Sequence, residues 1–166
     1  IMPSDIYINN IKWSIANTAH IEMNDKNYYI NNLLINHENE SLAIFGNISE
    51  NRNEMLNFKI KNFNLSHLKP VLGKEHDIQG IVNGEGFFAD IYHNMVFANK
   101  LNIDSLIYNK ELIGNVKVTN LYDNLNNKIN SIGDIIRVNT PTLKFSGDYF
   151  IETSQINYKV TLDKTN

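Results

Sequence analysis

The chain has 166 residues, 42% hydrophobic and 20% charged, with a formal net charge of −3 and no cysteine. A domain of this size buries about 68–70% of the surface its unfolded chain exposes, so it needs neither disulfides nor a metal to be stable. The lack of cysteine excludes a disulfide scaffold and every thiolate zinc site. The mild acidity, with lysines scattered along the chain, leaves no electrostatic footprint for nucleic acid or an anionic membrane surface.

Asn occurs 29 times and Ile 23 times, together nearly a third of the chain. Asn is disfavoured inside both helices and strands. Its interleaving with Ile, Leu, Val, Phe and Tyr reads as codon bias rather than a prion-like tract. No run of 18 apolar residues and no signal peptide is visible. The opening Ile1-Met2-Pro3 reads as an internal edge, so the chain is expected to be a piece of a longer protein whose targeting segment lies elsewhere.

In chain order, period-two alternation places apolar side chains on one face of successive strands. The first runs are Ile11, Trp13, Ile15 and then Ala19, Ile21, Met23. Leu42, Ile44, Gly46, Ile48 follow, and then Leu56, Phe58, Ile60. Ser66 as the cap, with Leu65 before it and Gly73 after the end, predicts a short helical turn near 66–72 that Pro70 confines to a turn or two. Alternation resumes with Leu112, Gly114, Val116, Val118. The cleanest runs come last: Leu143, Phe145, Gly147, Tyr149, Ile151 and Ile156, Tyr158, Val160, Leu162. Turn-forming clusters separate the runs at Asn24–Asn27, Glu50–Asn53, Asn109-Lys110, Asp123-Asn124, Asn126-Asn127 and Asp163-Lys164. The reading is an all-β chain of about a dozen antiparallel strands with no helix long enough to cover a wide sheet. Residues 1–166 are expected to form one segment, and unpaired strand edges are expected to pair between copies.

Catalytic constellations are poorly supported. His20, His37, His67, His76 and His93 lack metal-ligand spacing and read as solvent-facing polar positions. Asp77, Glu85, Asp90, Asp134 and Asp148 are not brought together in pairs by any sequence pattern, so no general acid and base stand out. Gly80, Gly84 and Gly86 sit in a strand-like run rather than opening a helix, which argues against a phosphate loop and for relief of crowding where the sheet bends. No Gly-x-Ser-x-Gly elbow occurs. Asn47 and Asn64 begin Asn-x-Ser sequons that carry little weight in a chain so rich in Asn. The chain is expected to be non-enzymatic, with no cofactor and no metal.

The stretch Asn57–Leu72, Asn-Phe-Lys-Ile-Lys-Asn-Phe-Asn-Leu-Ser-His-Leu-Lys-Pro-Val-Leu, followed by Ile78-Gln79-Gly80-Ile81-Val82-Asn83-Gly84-Glu85-Gly86, resembles the translocation and assembly module subunit TamB family. In that family a strand enters a short Leu-Ser-x-Leu-x-Pro turn and a glycine-bearing strand follows. Leu101–Asn109 and Leu112–Val116 resemble its repeated units. The resemblance implies an elongated, curled antiparallel sheet forming a trough with a hydrophobic groove. It also implies a periplasmic location in Gram-negative bacteria, inner-membrane anchoring outside this chain, and an outer-membrane barrel partner of TamA or BamA type. The implied function is a bridge-like conduit that shields phospholipid acyl chains and supports outer-membrane biogenesis or protein assembly.

On this reading the groove lining is Trp13, Ile15, Ile21, Ile44, Ile48, Phe58, Ile60, Val116, Val118, Phe145, Tyr149, Ile151, Tyr158, Val160 and Leu162. The bland alternative for the same residues is a fully packed core. A different class of function, a closed β-sandwich for adhesion or carbohydrate binding, would use the same alternation.

Overall fold

Twelve strands account for most of the chain in the computed structural model, which describes residues 4–8, 10–73, 75–138 and 142–163. The strands are β1 (Ser4–Ile8), β2 (Ile11–Ile15), β3 (His20–Asn24), β4 (Asn27–His37), β5 (Glu40–Ile48), β6 (Met55–Asn64), β7 (Ile78–Ala89), β8 (Val96–Tyr108), β9 (Glu111–Asp123), β10 (Lys128–Ile136), β11 (Thr142–Phe150) and β12 (Gln155–Asp163). A 3-10 turn at Leu65–Leu68 and a four-residue helix α1 (Lys69–Leu72) separate β6 from β7. The hydrogen-bonded order is β1-β2-β4-β5-β6-β7-β8-β9-β10-β11-β12, with β3 pairing β4. The all-β antiparallel architecture, the dozen strands and the short helical turn are those the alternation predicts. Among the described residues no helix is long and apolar enough to cross a membrane.

The chain divides into two compact units: unit 1 comprises residues 1–63 and 83–97, and unit 2 comprises residues 64–82 and 98–166. In unit 1, Trp13, Ala19 and the carboxylate-bearing Glu40 are buried. In unit 2, Leu65, Val82, Val116 and Ser131 are buried. No side chain among the described residues falls below 2% exposure, so each unit is a thin layer without a deep interior.

Local chemistry explains the connections. Asn109 and Lys110 both take positive φ (48° and 72°), the conformation that a two-residue hairpin turn requires. The helical turn is capped by Asn64, whose side-chain oxygen accepts from the Ser66 N–H at 3.0 Å. This corrects the expectation that Ser66 is the cap: its backbone N–H is one of the orphan donors a cap satisfies. Gly73, at φ +91°, ends α1 as expected. Lys164, half of the last turn cluster, lies outside the described residues.

Two strands are irregular at positions that periodicity hides. The β4/β5 register shifts between Ile30 and Leu33, and the β8/β9 register shifts after Ile103. Asn32 (φ 53°) and Ser105 (φ 52°) sit at these bulges. Asn62 (φ 54°) near the end of β6 is similar. Neighbouring Asn side chains satisfy the stranded N–H groups: Asn83 Oδ1 accepts from Asn62 N–H at 2.9 Å, and Asn115 Oδ1 from Ser105 N–H at 2.8 Å. Asn is therefore used structurally here, both for its tolerance of left-handed backbone and as a short acceptor. Asn83→Ala is expected to strand the Asn62 N–H and cost about 1–3 kcal/mol. Asn83→Asp, which keeps an acceptor, is expected to recover most of that loss in urea titrations monitored by circular dichroism.

Candidate functional site

Paired residues in neighbouring strands project from the same face of a sheet, so register decides which side chains can act together. In unit 2 the pairings run across β9, β10, β11 and β12 in rows. One row is Val118, Gly133, Phe145, Val160, with Leu101 of β8 before it. The next is Val116, Ile135, Leu143, Leu162, preceded by Ile103. A third is Tyr122, Ile129, Tyr149, Ile156. All are on one face. The opposite face carries Lys117, Asp134, Lys144 and Thr161 in one row and Thr119, Ile132, Ser146 and Lys159 in another.

Unit 1 repeats the arrangement. Ile21, Ile30, Gly46 and Leu56 align, as do Ile15, Ile35, Leu42 and Ile60, and Leu33, Ile44 and Phe58. Tyr28 and Ile48 join the same face. Phe58, Phe88 and Phe97 cluster there, with Phe88 and Phe97 stacked 4.7 Å apart.

Of the fifteen residues expected to line a groove, fourteen therefore sit in strands on the apolar face of their own unit. The exception is Ile151, which lies in the turn after β11, its N–H donating to Asn127 O at 3.2 Å. Two more are not available as lining: Trp13 (4% exposed) is packed on Phe63 and His37, and Val116 is buried. At the other extreme, β12 presents Ile156 (70%), Val160 (58%) and Leu162 (60%) to solvent. No described residue of unit 2 covers them, so the concave groove expected from the sequence is, among the described residues of this unit, an open apolar face. Sequence reasoning missed Ile30, Leu33 and Ile35, whose alternation the bulge at Asn32 interrupts, and Ile129 and Ile135 on β10.

The face in unit 2 is not uniformly oily. A hydrogen-bonded row crosses it: Tyr158 Oη donates to Ser131 Oγ at 2.9 Å, Ser131 Oγ to Asn120 Oδ1 at 2.6 Å, and Asn120 Nδ2 to Asn99 Oδ1 at 2.8 Å. Tyr158 reaches Ser131 across Gly147, and Phe145 lies over Gly133 in the same manner. Both glycines leave the space that an aromatic ring of the next strand occupies.

His37 departs from the solvent-facing expectation: it shares the parity of Leu33 and Ile35 and packs its ring against Trp13 on the apolar face, half-buried. His20 meets Glu22 at 2.8 Å, the His37 ring is 2.9 Å from Lys12 O, and His76 is 2.8 Å from Tyr108 Oη. His93 stands between two carboxylates, Nδ1 at 2.8 Å from Asp90 and Nε2 at 3.2 Å from Glu50, with Lys26 at 2.6 Å from Glu50. Three turns of unit 1 are tied together by this group. The Lys26 hydrogen bond holds the Glu50 carboxyl below its usual range, and the hydrogen bond from Lys69 does the same for Asp77. Asp123 is lowered by the Asn126 side chain and Asp5 by Lys12. These groups are exposed or half-buried, and their pairings are those of surface ion pairs and turns, each of small energetic weight.

No family model matches the chain, and neither a curated protein nor a solved structure matches it.

Proposed function

We propose that the chain is a non-enzymatic module that shields acyl chains of phospholipid against its apolar sheet face, within a longer periplasmic protein that bridges inner and outer membranes and engages an outer-membrane barrel. The observation that carries this reading is the register. Apolar side chains from successive strands fall into continuous rows, and in β12 the row stays open to solvent. An acyl chain of about 16 carbons exposed to water costs on the order of 12 kcal/mol at roughly 0.8 kcal/mol per methylene. An open face removes the part of that cost on the side it covers. Because the rows repeat from strand to strand, a guest moving across the strands meets similar surface at each step and no deep trap. The membrane setting and the barrel partner rest on the resemblance of the 57–86 segment.

The test uses the exposed end of the lining, where a charge leaves the core intact. Lipids extracted from purified protein are identified by mass spectrometry, and binding of a fluorescent fatty acid is titrated. Val160→Asp with Leu162→Asp is expected to weaken fatty-acid binding at least tenfold with an unchanged circular dichroism spectrum, whereas Lys159→Ala on the opposite face leaves it unaltered. A folded wild-type protein that binds no acyl chain, or a double variant that binds as tightly as wild type, overturns the reading.

A further inference from the structure

Among the described strands β12 is a margin of the sheet, pairing with β11 alone, and the direction of its backbone groups follows from the ladder. The Ile151 N–H donates to the Asn127 carbonyl, so the odd-numbered residues of β11 turn their N–H and C=O groups towards β10. Direction alternates along an antiparallel strand, so the even-numbered residues of β11 bond β12, where they meet its odd-numbered residues. The Asn157 carbonyl oxygen, which stands against Gly147 of β11, agrees. Ile156, Tyr158, Val160 and Leu162 therefore hold their N–H and C=O groups away from β11, and the same four residues carry the exposed apolar side chains of the strand. Folded proteins blunt such an edge by keeping it short, bulging it, or placing proline or an inward charge on it. The other strands with a single neighbour, β1 and β3, have five residues each. β12 has nine, in unbroken register, with no proline, no left-handed residue and no charge on its apolar face.

We infer that β12 pairs with β12 of a second copy of this chain, antiparallel about a two-fold axis at Val160. The partner class follows from self-complementarity. Outward groups must meet outward groups, so even-numbered residues face even-numbered ones and the apolar faces of both copies stay on one side. Charge then selects among the registers. An axis at Lys159 sets two lysines directly opposite each other, which is unfavourable. With the axis at Val160, Lys159 faces Thr161 of the second copy and has Asp163 of that copy at the diagonal position, while Asn157 faces Asp163 as a neutral donor. On the apolar face Val160 meets Val160, and Tyr158 meets Leu162 twice. The Tyr158 side chain reaches back over Gly147 to Ser131 in its own copy, which keeps the ring clear of the join. An axis at Tyr158 gives as many backbone pairs but leaves Asp163 beyond the reach of Lys159. The inference is independent of the acyl-chain reading, since pairing engages the edge of the strand and leaves the apolar face uncovered.

Sedimentation and light scattering of the intact chain over a range of concentrations test it. The apparent mass is expected to rise from one chain towards two and to stop there, because a two-fold interface closes. Val160→Pro removes an outward N–H and no bond to β11, so it is expected to weaken association at least tenfold with an unchanged circular dichroism spectrum. Ile132→Ser, which deletes an exposed apolar side chain on the opposite face of β10, is expected to leave association unaltered. The chain has no cysteine, so single cysteines report the register without interference. An oxidised mixture of Lys159→Cys and Thr161→Cys is expected to form the mixed disulfide, and Lys159→Cys alone to stay uncross-linked. A chain that stays single at every concentration, a dimer undiminished by Val160→Pro, or ready self-cross-linking of Lys159→Cys overturns the inference. So does slow amide exchange of Tyr158 and Val160 in the dilute single chain, which would mean that the chain's own residues cover the edge.

Discussion

Trp13→Ala is expected to destabilise the protein by about 3–5 kcal/mol, the range for removing a large aromatic side chain from a packed position. Trp13 is the only tryptophan in the chain. It lies 6.0 Å from the Phe63 ring and 5.2 Å from the His37 ring, joining β2 to the ends of β6 and β4. Among the described residues unit 1 has few other buried apolar side chains to share the load, since Ala19 contributes little volume. A loss of this size approaches the whole stability of many small domains. Chemical denaturation followed by far-ultraviolet circular dichroism measures it. A midpoint shift equivalent to less than about 1 kcal/mol would mean that the indole is a replaceable surface group rather than the centre of the unit's packing.

Gly147→Ala carries the second large effect. A methyl group at that position would run into the Asn157 carbonyl oxygen of β12, and the Tyr158 ring carbon lies 2.7 Å from where it would stand. Backbone cannot yield to it without opening the β11/β12 ladder. Overpacking of this kind costs about 1–3 kcal/mol, and here the loss of the Tyr158 to Ser131 hydrogen bond adds about 1 kcal/mol. Amide exchange of β12 residues is expected to accelerate selectively, with β9 and β10 little changed, because among the described strands β12 pairs with β11 alone. Gly73→Ala is the informative contrast: nothing lies within 4 Å of its added carbon, so any penalty there comes from its φ of +91° alone.

The fold was legible where alternation runs unbroken. β11 and β12 have strict period two, glycines included, and the expected faces are the observed ones. In β4 and β8 a left-handed residue, Asn32 or Ser105, adds one position and reverses the parity midway. Apolar residues three apart, such as Ile30 and Leu33 or Ile103 and Leu106, then share a face although counting by twos separates them. Burial was harder to read than facing. Trp13 and Val160 have the same place in the pattern, yet one is enclosed and the other open, because enclosure depends on which strand lies at the margin of the sheet.

The tyrosine-to-asparagine relay across unit 2 has a directional sense, every proton pointing from β12 towards β8. Two residues of strand span roughly 6.6 Å, so this hydrophilic seam keeps the Phe145 and Tyr149 rows about 13 Å apart. The surface is thereby ruled into two parallel lanes that both run across the strands. Anything greasy resting there is free to travel along its own lane, and changing lanes means crossing a fence of amides and hydroxyls.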